Sequence, residues 1–212
     1  MYLNNEYKTV LGEAEILYEE KKSKFISRVV PVSKEREAID FIDSIKERYR
    51  DATHNVYAYS VYEDVLLQRF SDDGEPSGTS GKPTLESIVR LGVVNVAVVT
   101  TRYFGGTLLG AAGLIRAYGK SAQLAIEKAK VIKMVYRINI KLIFEYNYIG
   151  KLQNLVQKIG YRIDKLVYDI DVEMVVQVPK EEKLNFITKV VDETNNRILW
   201  EELDGVYVAS DD

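Results

Sequence analysis

Val93-Val94-Asn95-Val96-Ala97-Val98-Val99-Thr100-Thr101 runs straight into Arg102-Tyr103-Phe104-Gly105-Gly106-Thr107. Nine nearly continuous apolar or β-branched residues suit a strand covered on both faces. The glycine pair that follows predicts a tight turn, and Gly106–Lys130 then reads as a long helix. A strand buried on both faces needs a layer of helices on each side, so the search for those layers runs outward from here.

Upstream, residues 9–32 alternate as two strands around the charged turn Glu19-Glu20-Lys21-Lys22. Residues 34–50 read as a helix, with Ala38, Phe41, Ile42, Ile45 and Tyr49 at helical spacing and Ser33 able to cap it. Asn55–Tyr62 and Val65–Phe70 form a predicted hairpin across Glu63-Asp64. Lys82–Leu91 reads as a short helix, with Pro83 near its start and Gly92 past its end. Downstream, residues 131–212 read β-α-β-β-α-β, the split-βαβ, ferredoxin-like pattern. The fold class is therefore α+β. The domains are expected at 1–130 and 131–212, because the long helix ends in Glu127-Lys128-Ala129-Lys130 and a fresh strand begins.

Composition narrows the chemistry. The 212 residues contain no cysteine and one histidine, which removes disulfides, thiolate nucleophiles and polyhistidine metal sites. No run of about 18 apolar residues exists, and the N-terminus is not a signal peptide, so a cytoplasmic protein with no membrane partner is expected. The net charge of −3 argues against a general nucleic-acid coat. Residues 1–130 carry 18 cations and 18 anions, whereas residues 131–212 carry 11 against 14, two of them the tail Asp211-Asp212. Within Gly74–Lys120, however, Lys82, Arg90, Arg102, Arg116 and Lys120 face only Glu75 and Glu86, a local +3.

Glycine marks where function could lie. Nine of the 13 glycines fall between residues 74 and 119. Such density costs backbone entropy unless special conformations or close approaches require it. One loop gathers Asp72, Asp73 and Glu75 with Ser77, Thr79, Ser80 and Lys82; it could engage a cation or a partner's basic groups, or simply cap its own backbone. The other, Arg102–Thr107, could hold a phosphate or carboxylate on Arg102, Gly105, Gly106 and Thr107 at a helix mouth. That reading requires an unpaired guanidinium. It is neither a Walker loop nor a dinucleotide fingerprint. The lone His54, at a strand start, fits a structural hydrogen-bonding role or a functional one.

Four stretches together resemble the Impact/YigZ family. They are Glu20–Ile26 (Glu-Lys-Lys-Ser-Lys-Phe-Ile), Asp51–Tyr59 (Asp-Ala-Thr-His-Asn-Val-Tyr-Ala-Tyr), Asp72–Pro83 (Asp-Asp-Gly-Glu-Pro-Ser-Gly-Thr-Ser-Gly-Lys-Pro), and Thr101–Gly110 running into Gly113-Leu114-Ile115-Arg116-Ala117-Tyr118. The resemblance implies a ribosomal-protein-like βαβ domain like domain IV of elongation factor G, then a ferredoxin-like domain like its domain V. It implies a role in translation regulation, with RNA, the ribosome or a translation-control protein as partner; a non-catalytic binding module with neither cofactor nor metal is expected. No catalytic residue is carried over. The implied binding surface comprises Asp72, Asp73, Glu75, Arg102, Tyr103, Phe104, Gly105, Gly106 and Arg116, to which the loop adds Thr79 and Lys82. The competing expectation is a small-molecule binder or enzyme for an anionic ligand at Arg102, and a third is an adaptor anchored by Tyr103 and Phe104.

Overall fold

The computed structural model describes residues 5–210, so Met1–Asn4 and the acidic tail Asp211-Asp212 lie outside the described residues. The chain divides into two compact α+β units, Met1–Lys133 and Met134–Asp212, each built on an antiparallel sheet.

The first unit contains β1 (Glu6–Val10), β2 (Ala14–Glu20), β3 (Ser23–Pro31), α1 (Glu35–Arg48), β4 (His54–Tyr62), β5 (Leu66–Ser71), α2 (Gly81–Leu91), β6 (Val96–Tyr103) and α3 (Ala111–Lys128). Its main sheet runs β2-β3-β6-β4-β5 with every neighbouring pair antiparallel. β6 is thus the central strand, and its alternation divides the core. Val96 and Val98 join Ile88 of α2 and Ala122, Ala125 and Ile126 of α3. Ala97 and Val99 point the other way, into a cluster with Ala38, Ile42 and Ile45 of α1. This is why the strand is apolar without a polar face.

Four details depart from the expectations. The strand begins at Val96 because Asn95 adopts φ +59°, and its side-chain Oδ1 accepts the Tyr62 amide hydrogen. The long helix begins at Ala111, five residues after Gly106. Gly106 (φ +80°) and Gly110 (φ +73°) are left-handed, which a right-handed helix cannot accommodate. The short β1 precedes the two expected strands. Ser33 does not cap α1 through its hydroxyl, since Lys34 holds that position; its amide and hydroxyl bond Glu37 instead.

The second unit is traced by β7 (Val131–Phe144, which crosses the unit boundary), α4 (Ile149–Ile159), β8 (Arg162–Tyr168), β9 (Val172–Pro179), α5 (Lys183–Glu193) and β10 (Leu199–Ala209). β7 pairs antiparallel with both β9 and β10, and β8 flanks β9. Ile138, Ile140, Leu142 and Phe144 alternate into a core with Met174, Val176, Leu152 and Phe186. Among the described residues, no helix is long and apolar enough to cross a membrane.

The β2–β3 hairpin closes on Lys21 (φ +46°) and Lys22 (φ +66°), the two-residue geometry that favours Asn-Gly. Gly105 lies against this turn: a Cβ there would stand 2.0 Å from the Lys22 carbonyl carbon. Gly105→Ala is therefore expected to destabilise the protein by about 3 kcal/mol or more, as core overpacking and strain do. Urea unfolding checks this, with Gly12→Ala, where a Cβ meets nothing within 4 Å, as the comparison.

Candidate functional site

The acidic loop turns most of its polarity inward. The Asp72 carboxylate accepts the amide hydrogens of Gly78 (2.8 Å), Ser80 (3.2 Å) and Gly81 (2.8 Å) and the Ser80 hydroxyl (2.7 Å). It thereby covers the exposed donors at the start of α2, as a capping side chain does. Burial by itself raises its pKa, but these donors outweigh it and hold the carboxyl below its ordinary value. Asp73 accepts the Asn55 amide hydrogen (2.6 Å) and pairs with Lys46 (3.3 Å). The buried Thr79 hydroxyl donates to the Pro76 carbonyl. Gly81 allows the backbone of α2 to meet β5, since a Cβ there would stand 2.6 Å from the Ser71 carbonyl oxygen.

Glu75 is the centre of the loop. It is 8% exposed, and its Oε1 accepts from Arg102 Nη1 (2.6 Å) and the Tyr118 hydroxyl (2.7 Å). Burial, together with the Glu75 charge and bond, pushes the Tyr118 pKa up, so this phenol stays a neutral donor. Arg102, 5% exposed, also reaches the Ser23 hydroxyl at 3.4 Å and lies 5.5 and 5.6 Å from the ring centres of Phe25 and Phe104. His54 sits beside the pair, its Nδ1 2.7 Å from the Asp73 carbonyl oxygen and its Nε2 3.8 Å from Glu75 Oε2.

The expected anion site at Arg102, Gly105 and Gly106 is not what this geometry builds. The two loops do meet, but they meet through an internal ion pair that takes up the guanidinium charge at Nη1 and holds it 5% exposed, leaving only the buried Nε–H without a partner among the described residues. The amides of Phe104 and Gly105 are taken by the hydroxyls of Thr53 (3.1 Å) and Ser23 (3.2 Å). α3 starts at Ala111 and not at Gly106, so the amides of Gly105 and Gly106 are not the free donors of a helix N-terminus. Tyr103 bonds the Asp51 carboxylate, whereas Phe104 remains 46% exposed. Of the eleven sequence-predicted residues, seven cluster around this network, namely Asp72, Asp73, Glu75, Thr79, Arg102, Phe104 and Gly105.

Arg116 lies elsewhere, on a groove of about 700 Å³ between α2, α3 and the β2–β3 turn. Its exposed cations are Lys21, Arg90, Arg116 and Lys120, opposed by Glu20 and Glu86. Glu86 has Lys82 as its partner at 4.0 Å, and Glu20 accepts the Tyr18 hydroxyl. Among the described residues, no carboxylate lies within ion-pairing distance of Lys21, Arg90, Arg116 or Lys120. The expectations did not include Lys21, although its place in an otherwise Asn-Gly-like turn is a readable signal. Tyr118 was also missed as a functional partner, because only the fold brings it to Glu75, 43 residues away.

Comparison with known proteins follows the same division into two units. A family model described as Impact N-terminal domain matches residues 21–126, and a domain of unknown function (DUF1949) matches residues 142–197. IMPACT family member YvyE of Bacillus subtilis is 38% identical over 186 residues, covering 88% of this chain and 85% of that protein. IMPACT family member YigZ of Escherichia coli is 31% identical over 179 residues, covering 84% and 88%. Protein IMPACT of Homo sapiens shares 34% identity over 96 residues, 43% of this chain but 29% of that protein. A crystal structure described as that of a hypothetical protein superposes with a TM-score of 0.62 at 27% identity, covering 95% of this chain and 99% of that one.

The cap at Asp72 gives a pH signature. Its folded pKa lies below the unfolded value near 3.8, so the ionised carboxylate stabilises the fold above that value. This contribution is lost as pH falls through the lower folded pKa. Asp72→Ala is expected to cost about 1–2 kcal/mol at pH 7 in urea unfolding, and the deficit should shrink when both proteins are compared below pH 3.8. A deficit that does not change with pH would contradict the cap.

Proposed function

The chain belongs to the Impact family, and from that premise we propose that it is a non-catalytic binding module of translation that engages RNA through the α2–α3 groove. The observation that carries this reading is the set of four exposed cations on one groove of an otherwise acidic protein, none with a carboxylate partner among the described residues and one, Arg90, hydrogen-bonded to Gln123. Of the local +3 around residues 74–120, Arg102 is cancelled by Glu75 and Lys82 faces Glu86, so what remains is Arg90, Arg116 and Lys120. All three line the groove. Phosphates are the natural counterpart of such a row, since each neutralised phosphate releases counterions.

The β2–β3 turn adds support. Two consecutive lysines in left-handed conformation are strained by roughly 1 kcal/mol each relative to glycine. Strain of this kind tends to persist where a site needs the side chains. Here it places Lys21 in the groove lining together with Arg116 and Lys120. Tyr18 lines the same groove, beside Arg116, and offers a ring for base stacking. The proposal also takes the two units as counterparts of domains IV and V of elongation factor G. The β-α-β-β-α-β order of the second unit and the β3-α1-β4 crossover around β6 support this.

Filter binding of a structured ribosomal RNA fragment at 50–200 mM salt tests the reading. Four phosphate contacts should give a log–log salt slope of about −3 to −4. Arg116→Ala/Lys120→Ala should weaken binding at low salt and flatten that slope by about 2. Lys21→Asn/Lys22→Gly should raise stability by roughly 1–2 kcal/mol yet weaken RNA binding. Undiminished affinity in both variants, or no RNA binding by the native chain, would overturn the proposal.

A further inference from the structure

A second cavity, of about 380 Å³, lies between the Gly74–Pro76 stretch and the segment from Phe104 to Leu114. Its walls are apolar: Phe104, Leu108, Leu109 and Leu114, with Leu108 83% exposed at the rim. Its polar side chains are Thr53, whose hydroxyl oxygen accepts the Phe104 amide hydrogen, His54, Glu75 and Arg102, whose buried Nε–H has no hydrogen-bond partner among the described residues. Neither the RNA groove nor the helix cap makes use of His54 Nε2 or Glu75 Oε2.

The hydrogen positions of these two groups follow from their neighbours. The Asp73 carbonyl oxygen, 2.7 Å from His54 Nδ1, can only accept, so Nδ1 carries the hydrogen. In the neutral ring Nε2 is then a bare lone pair. Across from it, at 3.8 Å, stands Glu75 Oε2, another acceptor, too far for a direct hydrogen bond. Arg102 and Tyr118 both donate to Oε1, and among the described residues no donor lies within hydrogen-bond distance of Oε2. Two acceptors therefore face each other beside an apolar cavity. A nitrogen placed about 2.9 Å from each would satisfy both at once. With the His54 ring neutral, Arg102 balances Glu75 at 2.6 Å, so these three side chains carry no net charge for a ligand to balance. A cationic head would be left uncompensated, and an anionic one would face a carboxylate.

We propose that this cavity binds small neutral molecules bearing a primary –NH2 donor, a carboxamide or aromatic amine, on an apolar body, the two N–H groups bridging His54 Nε2 and Glu75 Oε2. The body packs against Leu108, Leu109 and Leu114, with Phe104 at the rim. The site shares only Leu109 with the lining of the RNA groove and none of its cations, so either proposal can fail alone.

The chain has one histidine, so its ring nitrogens give a single, unambiguous NMR signature. The full chain, 15N-labelled and held at pH 8, is titrated with benzamide, N,N-dimethylbenzamide and benzoate. The expected result is an Nδ1–H tautomer whose Nε2 resonance moves saturably with benzamide, with at least tenfold weaker response to the dimethyl compound and none to benzoate. Leu108→Asp, at an exposed position that leaves the core intact, should abolish the response. His54→Phe, followed by ligand-observed NMR, should reduce benzamide affinity at least tenfold. An Nε2–H tautomer, no saturable shift, equal binding of the dimethyl compound, or preferential binding of benzoate would each overturn the proposal.

Discussion

A carboxylate has been withdrawn from water at Glu75, and the arrangement of the first unit's functional end follows from how that charge is satisfied. A buried unpaired charge costs several kcal/mol, so its partners must be held in place. Arg102, at the end of β6, supplies the countercharge, and Tyr118, midway along α3, supplies a second donor. One side chain thus ties a surface loop to the central strand and to a helix. With the loop anchored there, Asp72 can reach the amides that open α2 and Asp73 can reach Asn55 and His54. The same anchoring occupies the guanidinium that the sequence offers to an external anion.

The withdrawal of Arg102 redistributes the protein's surface charge. An acidic chain whose most conspicuous arginine is internal would seem a poor partner for phosphates. Four exposed cations nonetheless line one groove formed by α2, α3 and the β2–β3 turn. Placing lysines where Asn-Gly would close the hairpin at less cost is consistent with a surface shaped for binding at some expense in stability. The apolar cavity over His54 and Glu75 is chemically distinct: at its polar end two acceptors, His54 Nε2 and Glu75 Oε2, stand 3.8 Å apart with no donor between them.

Much of this was legible in the sequence where the determinants are local. The continuous apolar run through Val96 to Val99 betrays a strand covered on both faces, and helical spacing marks Ala38, Ile42 and Ile45. The glycine density correctly signals special backbone. What it could not reveal is which requirement each glycine meets. Gly105 yields space to the Lys22 carbonyl, while Gly106 and Gly110 supply left-handed turns that delay the helix to Ala111. The fate of Arg102 was illegible for a different reason. Its partner lies 27 residues away, and an acidic residue among three in one loop gives no sign that it alone is buried. Asp72, Asp73 and Glu75 look alike as text; one caps a helix, one bonds a strand amide, and one holds the ion pair.

The most direct test of this account is a double-mutant cycle on Glu75→Gln and Arg102→Met, followed by urea unfolding. If the buried pair organises the loop, each single substitution should cost about 3–5 kcal/mol, and the double variant little more than either, giving a coupling of several kcal/mol. If Arg102→Met instead leaves stability unchanged within about 0.5 kcal/mol while abolishing binding of inorganic phosphate, the guanidinium is a free ligand group and the account is wrong.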